Sequence, residues 1–280
     1  VGVSLFVLFA DSLHAIFPEI SLITFKWIGF CILTPFSFLN LKVLSSISLF
    51  GIISTISLVF LIFFCGLYKN SSPGSLIDPA YTNFYPPTLL QLFMSYGIIL
   101  GPFGSHSLFP ALKADLATPK KFNKCLQITY AVGFFADSAM AIIGFLMFGA
   151  GILNEITKSV VLTTGYPSFV YVFVSVFVSI IPIAKTPINA LPIINIVEFM
   201  FGLTPQQLEE AKHKPTFTTK VGQGVIKICV NLMFVICSIL YPEFDKIIGL
   251  SGASLCSLIF IVLPCAFYLK LVRPMRKWPY

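Results

Sequence analysis

Gly101-Pro102-Phe103-Gly104-Ser105-His106-Ser107-Leu108-Phe109-Pro110 is the stretch on which the reading of this sequence turns. Its flanks, Leu89 to Leu100 and Leu108 to Leu112, are apolar enough to lie in a membrane, yet its middle carries two glycines, a proline and an ionisable histidine. Proline removes a backbone donor and clashes with the preceding turn, and glycine tolerates non-helical angles. Freed backbone groups in hydrocarbon are costly, so a broken span persists only where protein or a water-filled cavity satisfies them. The stretch reads either as a proline kink in a packing helix or as a discontinuous helix of the kind that surrounds a substrate.

The rest of the chain agrees with a membrane setting. Hydrophobic residues make up 57% of the 280 and charged residues 10%, against about 25% charged in a soluble domain; mean hydropathy is +0.93. The composition defines an all-α polytopic membrane protein. A formal net charge of +7 does not point to nucleic acid, because the lysines sit in short gaps between apolar runs, where they set topology. The seven cysteines lie mostly within or beside those runs without metal-ligand spacing, and read as reduced packing thiols. No cofactor or metal is implied.

Residues 1–10 are too few for a crossing, which needs about 20. They read as the end of a partial helix that leaves the membrane at Asp11 to Pro18, in a chain truncated at both ends. Seven full spans follow: Ile20 to Phe38, Ile47 to Tyr68, the broken Thr88 to Leu112, Leu126 to Gly149, a run from Pro167 to Phe201, Val221 to Tyr241, and Ile247 to Leu271. The Pro167 run is too long for one crossing at 1.5 Å per residue, so a bend is expected at Lys185-Thr186-Pro187. In the connections, twelve lysines and arginines fall on one side (Lys42; Lys113 to Lys124; Lys212 to Lys220; Lys270 to Lys277) and three on the other (Lys69, Lys158, Lys246). The first side is therefore cytosolic, with loops 113–125 and 203–220 there. Loop 69–87 is luminal, expected to be ordered only in part, and holds the glycosylation candidate Asn70-Ser71-Ser72. Ile152, Ile156, Val160 and Val161 have near-helical spacing, which fits a short amphipathic helix or an ordinary structured loop.

Asp137 is the sharpest single residue, about twelve positions into its span and so near the bilayer centre. An acid there costs at least about 2.5–3.5 kcal/mol, so such residues face a bundle interior and serve ion or proton pathways; hydrogen bonding to Ser138 for packing is the plainer alternative. His106 titrates near physiological pH and reads equally as a proton carrier, a substrate contact or a cap on exposed carbonyls. Lys185, with Thr186 and Asn189, reads as a snorkelling residue or part of a gate. Ser175 and Ser179 share one helix face, which suits packing or cation coordination. No hydrolase, zinc-protease, nucleotide or dinucleotide motif is present, and His14, His106 and His213 fall too far apart to share a site. An enzyme is not expected.

Several blocks carry a family likeness: Phe109-Pro-Ala-Leu-Lys-Ala-Asp115, Ile143-Gly-Phe-Leu-Met-Phe-Gly149, Asn154-Glu-Ile-Thr-Lys158, Ile180-Ile-Pro-Ile-Ala-Lys-Thr-Pro187 and Pro242-Glu-Phe-Asp-Lys246. Across nearly the whole chain the sequence resembles the fungal vacuolar amino acid transporters of the amino acid/auxin permease family. The resemblance implies a single transmembrane domain over 1–280 with a LeuT-type fold of two inverted five-helix repeats, of which this chain holds the third to tenth of eleven helices. It implies a substrate site at Gly101, Pro102, Phe103, Gly104, Ser105 and His106, lacking its partner, the first helix. Proton coupling would fall to Asp137 or His106, with neutral amino acids exchanged for protons across the vacuolar membrane. A plasma-membrane or vesicular carrier, or a sensor that binds without transporting, is the alternative.

Overall fold

The computed structural model describes residues 2–82, 85–86, 88–100, 109–153, 155–204, 207, 217–241, 249 and 252–272. Every regular element among these residues is helical. In chain order they are α1 (Gly2–Ile16), α2 (Leu22–Phe36), α3 (Leu41–Tyr68), α4 (Leu89–Leu100), α5 (Phe109–Asp115), α6 (Phe122–Phe148), α7 (Ile156–Leu162), α8 (Ser168–Met200) and α9 (Phe217–Leu240). Two π-helical stretches, Gly252–Cys256 and Leu258–Val262, then lead into α10 (Leu263–Val272). By length and apolarity, Lys42–Tyr68, Pro119–Gly151, Ser168–Met200 and Phe217–Leu240 can each cross a bilayer, while Gly2–Ile16, Leu22–Phe36 and Leu89–Leu100 are shorter apolar helices. The protein is an all-helical, polytopic membrane protein.

Helix ends depart from the apolar runs in an instructive way. α1 continues as a helix to Ile16, through the Asp11–Pro18 stretch where the chain is expected to leave the membrane, and Phe17 N–H still bonds Leu13 O at 3.0 Å before Pro18 ends the pattern. Asp11 and His14 are thus residues of a helix, not of a loop. α3 begins at Leu41, six residues before the apolar run, behind Asn40 in extended conformation (φ −67°, ψ 149°). Hydropathy marks where hydrocarbon ends, whereas a helix stops only where its backbone bonding is broken. α8 carries Pro182, Pro187 and Pro192 inside one continuous helix that runs through Lys185-Thr186-Pro187, where a bend is expected. Each proline removes one intrahelical rung, which α8 tolerates because it packs against α1, α2, α3, α7 and α9.

The chain forms two compact units, Gly2–Asn83 with Ala131–Phe244, and Phe84–Tyr130 with Asp245–Tyr280. In the larger unit, Val170, Val174 and Val178 of α8 repeat at four-residue spacing and pack with Leu58, Ile62 and Cys65 of α3, Ile143 and Met147 of α6, and Val160 of α7. A second cluster joins Phe6, Leu33, Ala190, Ile194, Val230 and Phe234 from α1, α2, α8 and α9. In the smaller unit, Gly97 of α4 is buried and Gly252 lies so close that a Cβ there would stand 1.8 Å from Gly97 O.

The first part of the loop after α3 is tied to neighbouring elements by backbone and side-chain bonds. Gly74 N–H bonds Met147 O (2.7 Å), Leu76 N–H bonds Gly66 O (2.7 Å) and Ala80 N–H bonds Leu146 O (2.9 Å). Lys69 Nζ donates to Pro73 O and Thr164 O, and Tyr166 Oη donates to Gly74 O at 2.6 Å. Burial, reinforced by the neighbouring Cys65 and Tyr171, pushes the Tyr166 phenol up from its ordinary value. A raised pKa means that the stabilisation is complete below about pH 10 and is lost as pH rises through the folded value. Tyr166→Phe is expected to lower stability at neutral pH by about 1–2 kcal/mol and to flatten the alkaline limb of a thermal-unfolding series; an unchanged alkaline limb would refute the assignment.

Candidate functional site

Asp137 lies fifteen positions after the first residue of α6, about 22 Å along the helix. It is exposed on the surface of its unit, and its carboxylate has no hydrogen-bond partner among the described residues. The packing role through Ser138 therefore has no bond behind it here. A mid-membrane carboxylate cannot face lipid without large cost, so this position needs a polar or aqueous surrounding. Lys185 of α8 supplies the opposite charge: the two groups lie beyond ion-pair distance but within electrostatic reach.

Around Lys185, α8 is polar. Asn189 Nδ2 donates to Lys185 O at 2.9 Å, which keeps Asn189 tied to its own helix. Thr186 is fully buried and its hydroxyl has no partner among the described residues. Nearer the start of α8, Ser175 is buried and Ser179 Oγ contacts Ser12 Oγ of α1 at 2.9 Å while donating to Ser175 O at 2.8 Å. Ser175, Ser179, Lys185, Thr186 and Asn189 thus all lie on α8, with Asp137 of α6 within electrostatic reach of Lys185. The stretch Gly101–His106, the substrate candidate, lies outside the described residues, as does His213. Asn70 is exposed two residues past the end of α3.

Three buried polar residues went unnoticed at the sequence level. Lys26 of α2 is 4% exposed and donates to Ser238 O at 2.5 Å. Ser238 belongs to the last turn of α9, where carbonyls lack intrahelical partners, so the ammonium caps that helix end; Asp11 of α1 is also within its electrostatic reach. Glu198 of α8 is 6% exposed and within reach of Lys227 of α9, whose ammonium lies 5.3 Å from the Phe38 ring centroid. Asn231, fully buried, donates to Ser37 Oγ and Lys227 O, leaving its Oδ1 unpartnered. The signal was available: each interrupts an apolar run, as Asp137 does.

Apolar helices that each bury a polar or charged side chain, as at Lys26, Glu198 and Asn231, are costly in a membrane and belong to a bundle rather than to a lone anchor. The family of transmembrane amino acid transporter proteins matches residues 1–279, and the chain belongs to that family. It is similar to amino acid transporter AVT1I of Arabidopsis thaliana, 24% identical over 290 residues covering 97% of this chain and 64% of the relative. Amino acid transporter AVT1E of the same plant is 23% identical, covering 95% of this chain and 49% of the relative. The vesicular GABA transporter of Caenorhabditis elegans is 22% identical, covering 94% and 52%. The chain therefore spans between about half and two thirds of the length of these relatives. No solved structure matches it.

Proposed function

We propose that this chain is the greater part of a secondary active transporter that moves neutral amino acids across the vacuolar membrane in exchange for protons. The observation that carries the reading is Asp137, a carboxylate about midway along α6 with no hydrogen-bond partner among the described residues and within electrostatic reach of Lys185 on α8. A carboxyl so placed can take up a proton on one side and release it on the other as access alternates. Lys185 would balance the carboxylate in one state and be released in the other.

In this reading the chain is one transmembrane domain with a LeuT-type inverted-repeat fold, containing seven full spans and a partial one. α1 is the third helix of eleven and α10 closes the tenth. Gly101, Pro102, Phe103, Gly104, Ser105 and His106 bind the amino acid through free backbone groups and half-helix ends, with His106 as a second proton carrier. Ser175, Ser179, Lys185, Thr186 and Asn189 line the path as gate or ion-site residues, and Asn70 is a glycosylation acceptor on the luminal side. The similarity to a vesicular GABA transporter supports a second reading, in which the same machinery fills vesicles instead of a vacuole.

The test is uptake of labelled neutral amino acids into vacuolar-membrane vesicles carrying the full-length protein, with and without a collapsed pH gradient. Accumulation above the external concentration is expected only with the gradient. Accumulation that survives its collapse would overturn proton coupling, and binding without uptake would identify a sensor.

A further inference from the structure

Residues 69–82 fasten three helix ends to one another. Two carbonyls in the last turn of α6, where intrahelical donors run out, accept from this segment: Met147 O from Gly74 N–H and Leu146 O from Ala80 N–H. Gly66 O, in the last turn of α3, accepts from Leu76 N–H in the same way. Ser75, fully buried, donates its hydroxyl to Lys69 O and accepts from the N–H groups of Ile77 and Asp78, which folds the segment back on itself. The approach to α8 holds it from another side: Tyr166 Oη donates to Gly74 O, and Thr164 O accepts from Lys69 Nζ.

Packing follows the same plan. A Cβ at Gly66 would stand 2.6 Å from Leu76 Cγ and 3.0 Å from Met147 Sδ, so Leu76 fits between α3 and α6 only because residue 66 has no side chain. Gly149, at φ 51°, turns the chain after α6, and a Cβ there would collide with Tyr81 O. Around these ends lie Cys65, Ile143, Met147, Val160 and Val170, part of the apolar cluster of α3, α6, α7 and α8. Separating the ends would break the bonds together, at about 0.5–1.5 kcal/mol each, and uncover that cluster. Movement elsewhere in the bundle costs less.

We propose that residues 69–82 form a fixed pivot at this end of the bundle, with Lys69 and Tyr166 as positioning residues for the Asp137–Lys185 pair. The inference rests on the transport reading given above. Asp137 lies eleven residues before the fastened end of α6, about 16 Å, and Lys185 lies seventeen residues after the start of α8, about 25 Å. Asp137 therefore changes its distance from Lys185 by a tilt of α6 about the pivot, while the fastened end of α6 stays with that of α8. The attraction between the two charges falls with distance. A slack pivot would spread that distance over many values and blur the difference between states on which coupling depends.

Spin-label pairs in the full-length protein, reconstituted in lipid nanodiscs, separate the pivot from the transport reading. One pair, at Ile142 of α6 and Val172 of α8, lies toward the fastened ends; the other, at Val132 and Ile196, lies toward the opposite ends, and all four side chains are exposed. In the wild type the first distance should stay single and narrow with or without neutral amino acid, and the second should shift or broaden. Lys69→Met should broaden the first distance and lower gradient-driven accumulation at least threefold, with counterflow retained. Lys69→Arg, which can still donate to Pro73 O and Thr164 O, should restore both readouts. A purely structural role predicts a lower Tm with an unchanged accumulation ratio. Should Lys69→Met fail to fold, Ser75→Ala carries the same expected broadening and loss. The pivot is overturned if the first pair moves when amino acid binds, if it stays narrow in these variants, or if the second pair is as still as the first. Unchanged accumulation in a variant whose first distance has spread would overturn the positioning role. A wild type without gradient-driven accumulation would sink the transport reading and the positioning role together, and the wild-type distances would still decide the pivot.

Discussion

Asp137→Asn is expected to abolish gradient-driven accumulation while leaving amino acid exchange in place. Asparagine keeps the shape of the side chain and removes both its charge and its titration. A gradient of two pH units supports up to about 100-fold accumulation per coupled proton, since each unit is worth about 1.36 kcal/mol. In the variant the ratio should fall to about 1, the value reached by the wild type when the gradient is collapsed. Counterflow of labelled against unlabelled amino acid needs no proton and should persist, which separates lost coupling from lost folding. Lys185 gives a second check. Once Asp137 is neutral, Lys185→Gln should cost little more, because two residues that act through one interaction are not additive. Undiminished accumulation in Asp137→Asn would exclude it as the coupling acid.

Gly252→Val is expected to produce the largest loss of stability. A Cβ at 252 would lie 1.8 Å from Gly97 O, 2.6 Å from its carbonyl carbon and 3.1 Å from its Cα. These are backbone atoms, so no side-chain rotamer relieves the overlap and α4 must move away from the π-helical stretch that begins at Gly252. Overpacking of this kind costs about 1–3 kcal/mol and more when backbone must shift. The expected result is a fall in Tm of several degrees, or loss of monodisperse protein, with Gly252→Ala intermediate. Transport should fail as well, because α4 ends at Leu100, immediately before Gly101. Asp137→Asn should retain the wild-type Tm, so the two variants fail by different routes. A wild-type Tm in Gly252→Val would refute the close crossing.

Much of the helix plan was legible because hydrophobic runs and lysine-bearing gaps are local properties. Of Ile152, Ile156, Val160 and Val161, whose spacing fitted a helix or a loop, the last three lie in α7 and Ile152 precedes it; α7 is seated on Gly144, where an added Cβ would meet Ile156 at 2.6 Å. Helix ends were less legible: α1 and α3 extend past the apolar residues that announced them, since solvent does not terminate a helix. The prolines of α8 do not end it, because tertiary packing on several sides maintains a helix that three missing donors would weaken in isolation. Which polar residues interrupt apolar runs was legible by residue type, as at Asp137, but not which groups they meet. Ser12 meets Ser179 across 167 residues, and Lys26 meets Ser238 across 212. Which faces meet depends on the whole packing, and no periodicity reports it.

The Lys26 cap also bears on how the chain is made. α2 leaves the ribosome 212 residues ahead of the carbonyl that Lys26 will hold, which at about 5–20 residues per second is roughly 10–40 s. During that interval a lysine sits near one end of a fifteen-residue apolar helix with no partner, at a cost of up to about 2.5–3.5 kcal/mol if it stays in hydrocarbon. Its place in the second turn lets the side chain reach the headgroups while it waits. Arrival of α9 then draws the ammonium inward and locks an early-inserted helix to a late one. A nascent chain that stops before α9 therefore holds a lysine whose carbonyl partner has not yet been made.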